Sequence, residues 1–295
     1  MNFQKIKGDV FVIIAGLMWG TMGIFSRFFN SVGLGPFEIA QLRIAVGLLF
    51  VGTYLLIFHR EKLKIKLRDV WCFIGTGIVS LLLFCVCYFK AIEELTLSAA
   101  GVLLYTAPIF VMILSIPLFR EKLTTKKVIA LALAFAGCVL ISGIGGEINT
   151  LGVVMGVLSG FFYALYSIFG RYAINRGYDS WTIVFYTFLF CTLGCLCLSD
   201  KALIASSLAD PTTSLWLYLV GMGLITGFLA YLFYSKGLEC MESSRASILA
   251  FVEPVSGTVV GMIVFSEFPN IFGVSGILLV LGAIILLSTK SKTKK

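Results

Sequence analysis

Residues 88–122, YFKAIEELTLSAAGVLLYTAPIFVMILSIPLFREK, return at residues 234–268 as YSKGLECMESSRASILAFVEPVSGTVVGMIVFSEF, a constant 146 positions later and without a gap. Tyr88, Lys90, Glu93, Ser98, Ala100, Leu103, Pro108 and Glu121 meet Tyr234, Lys236, Glu239, Ser244, Ala246, Leu249, Pro254 and Glu267. Downstream, Leu133, Leu140 and Ser142 meet Leu279, Leu286 and Ser288 at the same shift. At a shift of 144, Gly16, Ile24, Phe25 and Arg27 meet Gly160, Ile168, Phe169 and Arg171. The chain therefore divides into two repeats, 1–146 and 147–295, that differ by a small loop insertion. Many secondary transporters are built from repeats of this length.

The composition sets the environment of those repeats. Of the 295 residues 59% are hydrophobic and 13% charged, and the mean hydropathy is +1.01. That much apolar surface exceeds what a water-soluble core can hide, so the chain is an integral membrane protein. A spanning helix needs about 20 apolar residues. Ten runs meet this, near 9–29, 36–58, 70–92, 98–119, 126–143, 151–173, 180–199, 214–238, 245–266 and 271–289. They are too long, and too little alternating, to be barrel strands. The expected fold is all-α, with ten transmembrane helices.

The net charge of +8 raises nucleic-acid binding, but the placement of the cations excludes it. With the N-terminus inside, Lys5, Lys7, Arg60, Lys62, Lys64, Lys66, Arg68, Arg120, Lys122, Lys126, Lys127, Arg171, Arg176, Lys236, Arg245, Lys290, Lys292, Lys294 and Lys295 all fall on the cytoplasmic side. Glu93, Glu94, Glu147, Asp200, Asp210 and Glu267 fall on the outer side. This bias predicts cytoplasmic termini. Five helices per repeat is an odd number, so the second repeat enters the bilayer from the opposite face and the repeats are inverted. The first apolar run reads as a retained signal anchor. The eight cysteines have neither zinc-site nor CxxC spacing and are expected to serve as small packing residues.

Polar groups at bilayer depth are the candidates for function. Arg43 lies seven residues beyond Pro36, roughly 10 Å into the second helix. A cation there is paired, snorkelled or wetted, so Arg43 is either a structural ion-pair partner or a substrate contact. Glu253 lies about 13 Å into the ninth helix. It either braces a kinked helix or, as a carboxyl suited to carrying a proton or meeting an amine, takes part in transport. Pro108 and Pro254 stand at mid-membrane in the fourth and ninth helices and leave the carbonyls of Leu104 and Ala250 without their helical donors.

Gly16, Gly20 and Gly23 in the first helix, and Gly152, Gly156 and Gly160 in the sixth, offer close helix approach, as packing seams or as points of rocking. Trp19 and Tyr163 are equivalent at a shift of 144 and form a candidate aromatic pair about a central axis. Glu121 and Glu267 recur just before Thr124 and Asn270, which are suited to capping the fifth and tenth helices. Their recurrence points to loop bracing. Lys90 and Lys236, near helix ends, are expected to snorkel.

In their order and spacing, Trp19-Gly20, Pro36 followed by Arg43, Pro108 followed by Glu121, and Glu253-Pro254 followed by Glu267 resemble the EamA family of the drug/metabolite transporter superfamily over nearly the whole chain. The resemblance implies two inverted five-helix repeats around a central cavity lined mainly by helices 1, 3, 4, 6, 8 and 9, with helices 5 and 10 peripheral. It implies movement of small organic solutes such as amino acids or related metabolites, often as export, by alternating access in the cell membrane. On this reading Trp19, Tyr105, Tyr163, Tyr166, Glu253 and Arg43 contact the solute. Gly20, Gly160, Pro108 and Pro254 supply packing and hinges.

The expected partners are that solute and membrane lipids, with a proton as a coupling ion through Glu253, no cofactor, no metal and no nucleic acid, in a monomer or homodimer. A nucleotide-sugar or phosphorylated-metabolite carrier is the alternative, although such substrates call for several cavity cations. Enzyme chemistry is not expected. The only histidine, His59, lies in a loop, and Gly156 to Gly160 does not fit a nucleophile elbow.

Overall fold

The computed structural model describes residues 3–143, 149–209 and 213–289. Glu147, Asp210, Lys290, Lys292, Lys294, Lys295 and the boundary between 146 and 147 lie outside the described residues. Lipid offers no hydrogen bonds, so a spanning segment must satisfy its own backbone, which a helix does. Ten helices are long and apolar enough to cross a membrane: α1 (Ile6–Ser31), α2 (Pro36–Phe58), α3 (Leu67–Glu94), α4 (Leu97–Phe119), α5 (Thr125–Ser142), α6 (Thr150–Asn175), α7 (Ser180–Leu198), α8 (Ser214–Cys240), α9 (Ser243–Phe265) and α10 (Ile271–Ser288). There is no strand among the described residues. A short helix, Lys201–Leu208, connects α7 to α8.

The irregularities repeat as the sequence does. α4 breaks at Tyr105 and Thr106 and resumes at Ala107, while α9 breaks at Ala250 and Phe251 and resumes at Val252. Each break lies just ahead of the proline that cannot donate into the preceding turn. α3 and α8 each contain a π-helical stretch, Gly75–Leu82 and Met222–Leu229, at matching places in the two halves. The expected caps are present: the Thr124 side chain accepts from the Lys127 N–H and Asn270 from the Gly273 N–H.

Packing joins the halves in matching pairs. α1 packs on α8 and α9, and correspondingly α6 packs on α3 and α4; α2 lies on the π-helical part of α8, and α7 on that of α3. α5 and α10 also pair along their length. Lys126, at the start of α5, donates to the carbonyl of Thr289 beyond the end of α10, and Gly137 meets Gly276 midway, so these two helices run antiparallel. Small residues permit this approach: a Cβ on Gly137 would lie 2.7 Å from the Gly276 carbonyl oxygen.

Candidate functional site

The two helix breaks and aromatic side chains from within α1, α6 and α8 surround a cavity of about 80 Å³ in the middle of the bundle. Its walls carry Trp19 from α1, Arg43 from α2, Phe84 from α3, Tyr105 and Pro108 from α4, Tyr163 from α6, Tyr231 from α8, and Ser247, Phe251 and Glu253 from α9. The broken turns explain this concentration. Where α4 and α9 lose regular backbone bonds, polar groups persist only if buried in protein or facing a wet space. A smaller pocket of about 30 Å³ adjoins it, sharing Trp19, Pro108, Tyr163 and Tyr231 and adding Tyr166, Ser167 and Tyr234.

Five of the six residues expected to contact solute, Trp19, Arg43, Tyr105, Tyr163 and Glu253, face the larger cavity, and Tyr166 faces the smaller one. Pro108 lines both. Trp19 and Tyr163 meet edge to face with centroids 6.5 Å apart. Trp19 also packs on Tyr231 at 5.2 Å and Tyr234 at 5.4 Å, so the indole is the hub of the aromatic wall. Tyr105 contacts its repeat equivalent Phe251 at 5.9 Å. The Tyr166 and Tyr234 hydroxyls bond Ser235 and Ser167, each at 2.7 Å, which fixes their rings at the bottom of the site.

Gly20 and Gly160 do not face the larger cavity. A Cβ on Gly20 would come 2.4 Å from the Ser256 Cβ, and one on Gly160 would come 2.5 Å from the Thr106 hydroxyl oxygen. They are the contacts of α1 with α9, beyond the α9 break, and of α6 with α4, at the α4 break.

The two charged groups of the cavity are without ion-pair partners among the described residues. Arg43 reaches only the Met22 sulfur, at 3.9 Å, and its buried Nε has no acceptor. The structural ion pair weighed for Arg43 is therefore not formed, and its place adds α2 to the cavity-lining helices. No described side chain donates to the Glu253 carboxyl. Lys90 and Lys236 are engaged elsewhere: Lys90 pairs with Glu93 and Glu94, and Lys236 lies over the rings of Phe11 and Trp181.

Tyr231, Phe84, Phe251 and Ser247 escaped the sequence analysis. Tyr231 belongs to an aromatic cluster visible at the end of α8, but in an apolar helix nothing marks which ring faces inward.

Both ends carry a hollow, about 390 Å³ beside Glu121, Arg171 and Glu242 and about 360 Å³ beside Glu267, but the first shares no wall residue with the central cavity and the second does. At the end bearing Glu121, the carboxylate accepts from the N–H groups of Ser243, at 2.7 Å, and Ser244, at 3.2 Å, and from the Ser244 hydroxyl. Lys127 donates to the Ser244 hydroxyl at 2.8 Å and pairs with Glu242 at 2.7 Å, and Arg171 bonds Ser243 and the Met241 carbonyl. Beside them the buried Arg245 and Asp9 pair at 2.6 Å. At the end bearing Glu267 the bundle opens into a space of about 360 Å³ lined by Arg27, Leu97, Ser98, Gly101 and Glu267. Tyr105 lines both this vestibule and the central cavity. The Arg27 guanidinium pairs with Glu267 at 2.8 Å and holds that carboxyl below the usual carboxylate range.

The chain resembles known proteins over most of its length. The sequence profile of the EamA-like transporter family matches residues 6–143 and 150–289. An "uncharacterized transporter" of Archaeoglobus fulgidus is 27% identical over 283 residues, covering 95% of each chain. Bacillus subtilis YxxF, also named an uncharacterized transporter, is 27% identical over 297 residues, covering 99% of this chain and 92% of its own. A second A. fulgidus transporter is 30% identical over 271 residues. One crystal structure superposes with a TM-score of 0.78 at 19% identity, covering 95% of this chain and 96% of the other, and shares the fold.

Proposed function

Because this chain belongs to the EamA-like transporter family, a multi-pass transporter of the drug/metabolite transporter superfamily, we propose that it carries a small zwitterionic solute of the amino-acid class, in the export direction, by alternating access. The observation that carries this is the pair of unpartnered charges on one aromatic wall. Arg43 suits a carboxylate, Glu253 suits an ammonium group, and the rings of Trp19, Tyr105, Tyr163 and Tyr231 suit the apolar remainder of the solute. A site holding one cation and one carboxylate favours neither a pure anion nor a pure cation.

The volume of the cavity agrees. At about 80 Å³, even with the adjoining 30 Å³, it falls far below what a nucleotide sugar needs, and Arg43 is the one cation on its wall among the described residues. Glu253 has no ion-pair partner among the described residues, so a proton that leaves it when the solute's ammonium group binds is a natural coupling ion.

The antiparallel run of α5 against α10, the fifth helices of the two halves, supports an inverted repeat, with division near residue 146. The basic loops between Arg60 and Arg68 and between Lys122 and Lys127 support a cytoplasmic placement of the Glu121 end and of both termini in the cell membrane. Gly20, Gly160, Pro108 and Pro254, at the breaks or just beyond them, supply the seam about which the halves rock.

Proteoliposomes containing the purified protein test the proposal. Labelled neutral amino acids should exchange, whereas sugar phosphates and nucleotide sugars should not. Arg43→Gln should abolish exchange of the zwitterion, and Glu253→Gln should lower it and remove the pH dependence of what remains. Unaltered rate and pH dependence in Glu253→Gln would sink the charged-contact reading. Exchange of nucleotide sugars in place of amino acids would establish the rival carrier.

A further inference from the structure

The contact that shuts one end of the bundle has an unmade twin at the other. Glu121 follows a left-handed residue, Arg120 (φ 55), and its N–H returns to the Ser115 carbonyl at 3.4 Å. Glu267 follows a left-handed residue, Ser266 (φ 57), and its N–H returns to the Gly261 carbonyl at 3.1 Å. Every member of the first turn lies 146 positions from its counterpart. Both turns thus aim a glutamate from the end of one broken helix.

Glu121 reaches the first two N–H groups of α9, those of Ser243 and Ser244. The same shift sends these residues to Leu97 and Ser98, the first two of α4. Leu97 and Ser98 line the vestibule together with Glu267, and their N–H groups have no acceptor among the described residues. Glu267 instead rests on Arg27, which the 144 shift equates with Arg171 at the closed end.

We infer that Glu121 and Glu267 are alternating latches: the structure has the Glu121 latch shut and the Glu267 latch open, and the opposite state forms when Glu267 leaves Arg27 and caps Leu97 and Ser98. A carboxylate on free first-turn N–H groups is a favourable charge-assisted contact, strengthened by the helix dipole. It forms at one end only, because the rocking that brings one pair together draws the other apart. The two latches differ in strength. Lys127 adds a cation to Glu121, whereas Gly273 occupies the equivalent place behind Glu267, so the Glu121-closed state is the resting one.

This rests on the alternating-access reading, and the test separates the two. Gly101 lines the open vestibule and a Cβ there meets nothing within 4 Å, while its equivalent, Ser247, lies buried beneath the Glu121 latch. In a Cys197→Ser, Cys240→Ser background, Gly101→Cys and Ser247→Cys are labelled with a membrane-impermeant maleimide applied from the Glu267 face and the Glu121 face, respectively.

With intact latches Gly101→Cys should label and Ser247→Cys should not. Glu121→Gln should lower the first and raise the second by about tenfold, the scale of losing a hydrogen bond to a charge. Adding Glu267→Gln should restore the first. Should Glu121→Gln not elute as a monodisperse protein, Ser244→Ala takes its place, with Ser98→Ala as the compensating change. Reciprocal labelling that Glu267→Gln or Ser98→Ala fails to restore would overturn the latch and leave alternating access standing. Labelling that rises or falls together at both cysteines would overturn both.

Discussion

Arg120 and Ser266, 146 positions apart, adopt nearly the same left-handed backbone, φ 55 and ψ 34 against φ 57 and ψ 30. Neither is glycine, so each carries the steric cost of a Cβ in that region, roughly 1–2 kcal/mol. Two dissimilar side chains thus share one strained geometry, the left-handed turn that ends each helix, and in both a glutamate follows.

Glycine relieves that strain. Arg120→Gly and Ser266→Gly should each raise the thermal unfolding midpoint, by an amount corresponding to about 0.5–1 kcal/mol after the added unfolded-state freedom is deducted. A β-branched Ser266→Val should lower it. Midpoints of the detergent-purified variants decide; a decrease for both glycine variants would refute the strain.

The Asp9–Arg245 pair is buried, with Arg245 also donating to the Leu287 carbonyl at 2.6 Å, so it ties α1, α9 and α10 together. Asp9→Ala should destabilise by about 3–5 kcal/mol, because it leaves a buried guanidinium uncompensated. The double change Asp9→Leu, Arg245→Met should recover most of the loss. A double-mutant cycle in chemical denaturant measures the coupling; additive losses would count against the pair.

Gly137 and Gly276 hold α5 and α10 at backbone contact, where a Cβ on Gly276 would come 2.5 Å from the Gly137 carbonyl oxygen. Gly137→Ala and Gly276→Ala should each cost about 1–3 kcal/mol, since a main-chain atom cannot swing aside. Gly282→Ala, with open space around its Cβ, serves as control and should be near neutral. Equal losses in all three would remove the packing explanation.

Asp179 precedes α7, accepts from the Thr182 N–H at 3.0 Å and pairs with Lys62. Burial pushes its carboxyl up, but Lys62 and the Thr182 donors outweigh this and hold it below the usual range. Asp179→Ala should cost about 1 kcal/mol, mostly as a lost cap, since the ion pair is largely solvent-screened. Because the folded value is depressed, this stability is fully present above the unfolded carboxylate pKa of about 3.9 and is lost as pH falls through the lower folded value. The difference in midpoint between the two proteins should therefore be constant near neutrality and shrink below about pH 4. A difference that grows on acidification would contradict the assignment.

How far each feature was legible follows from the solvent. The spans matched their apolar runs closely, since lipid demands length and hydropathy and both can be counted. The depths of Arg43 and Glu253 followed from helical rise, and the caps Thr124 and Asn270 from their chemistry. Tyr231, Phe84 and Ser247 were not legible as cavity residues. In water a helix declares its inner face by contrast with a polar outer one, but in lipid both faces are apolar and the contrast disappears.

The chain's own order of residues determined the helical class, the ten crossings and the doubling of one five-helix unit. These depend on composition and local rise, and so are written along a single strand. Only the folded bundle decided that Arg43 lacks a carboxylate partner, that Trp19 gathers rings from α6 and α8, and that Glu121 caps α9 while Glu267 rests on Arg27. Two near-identical turns carry the same local instructions, so the choice between them arises from packing across the halves, where forming one contact withdraws its twin.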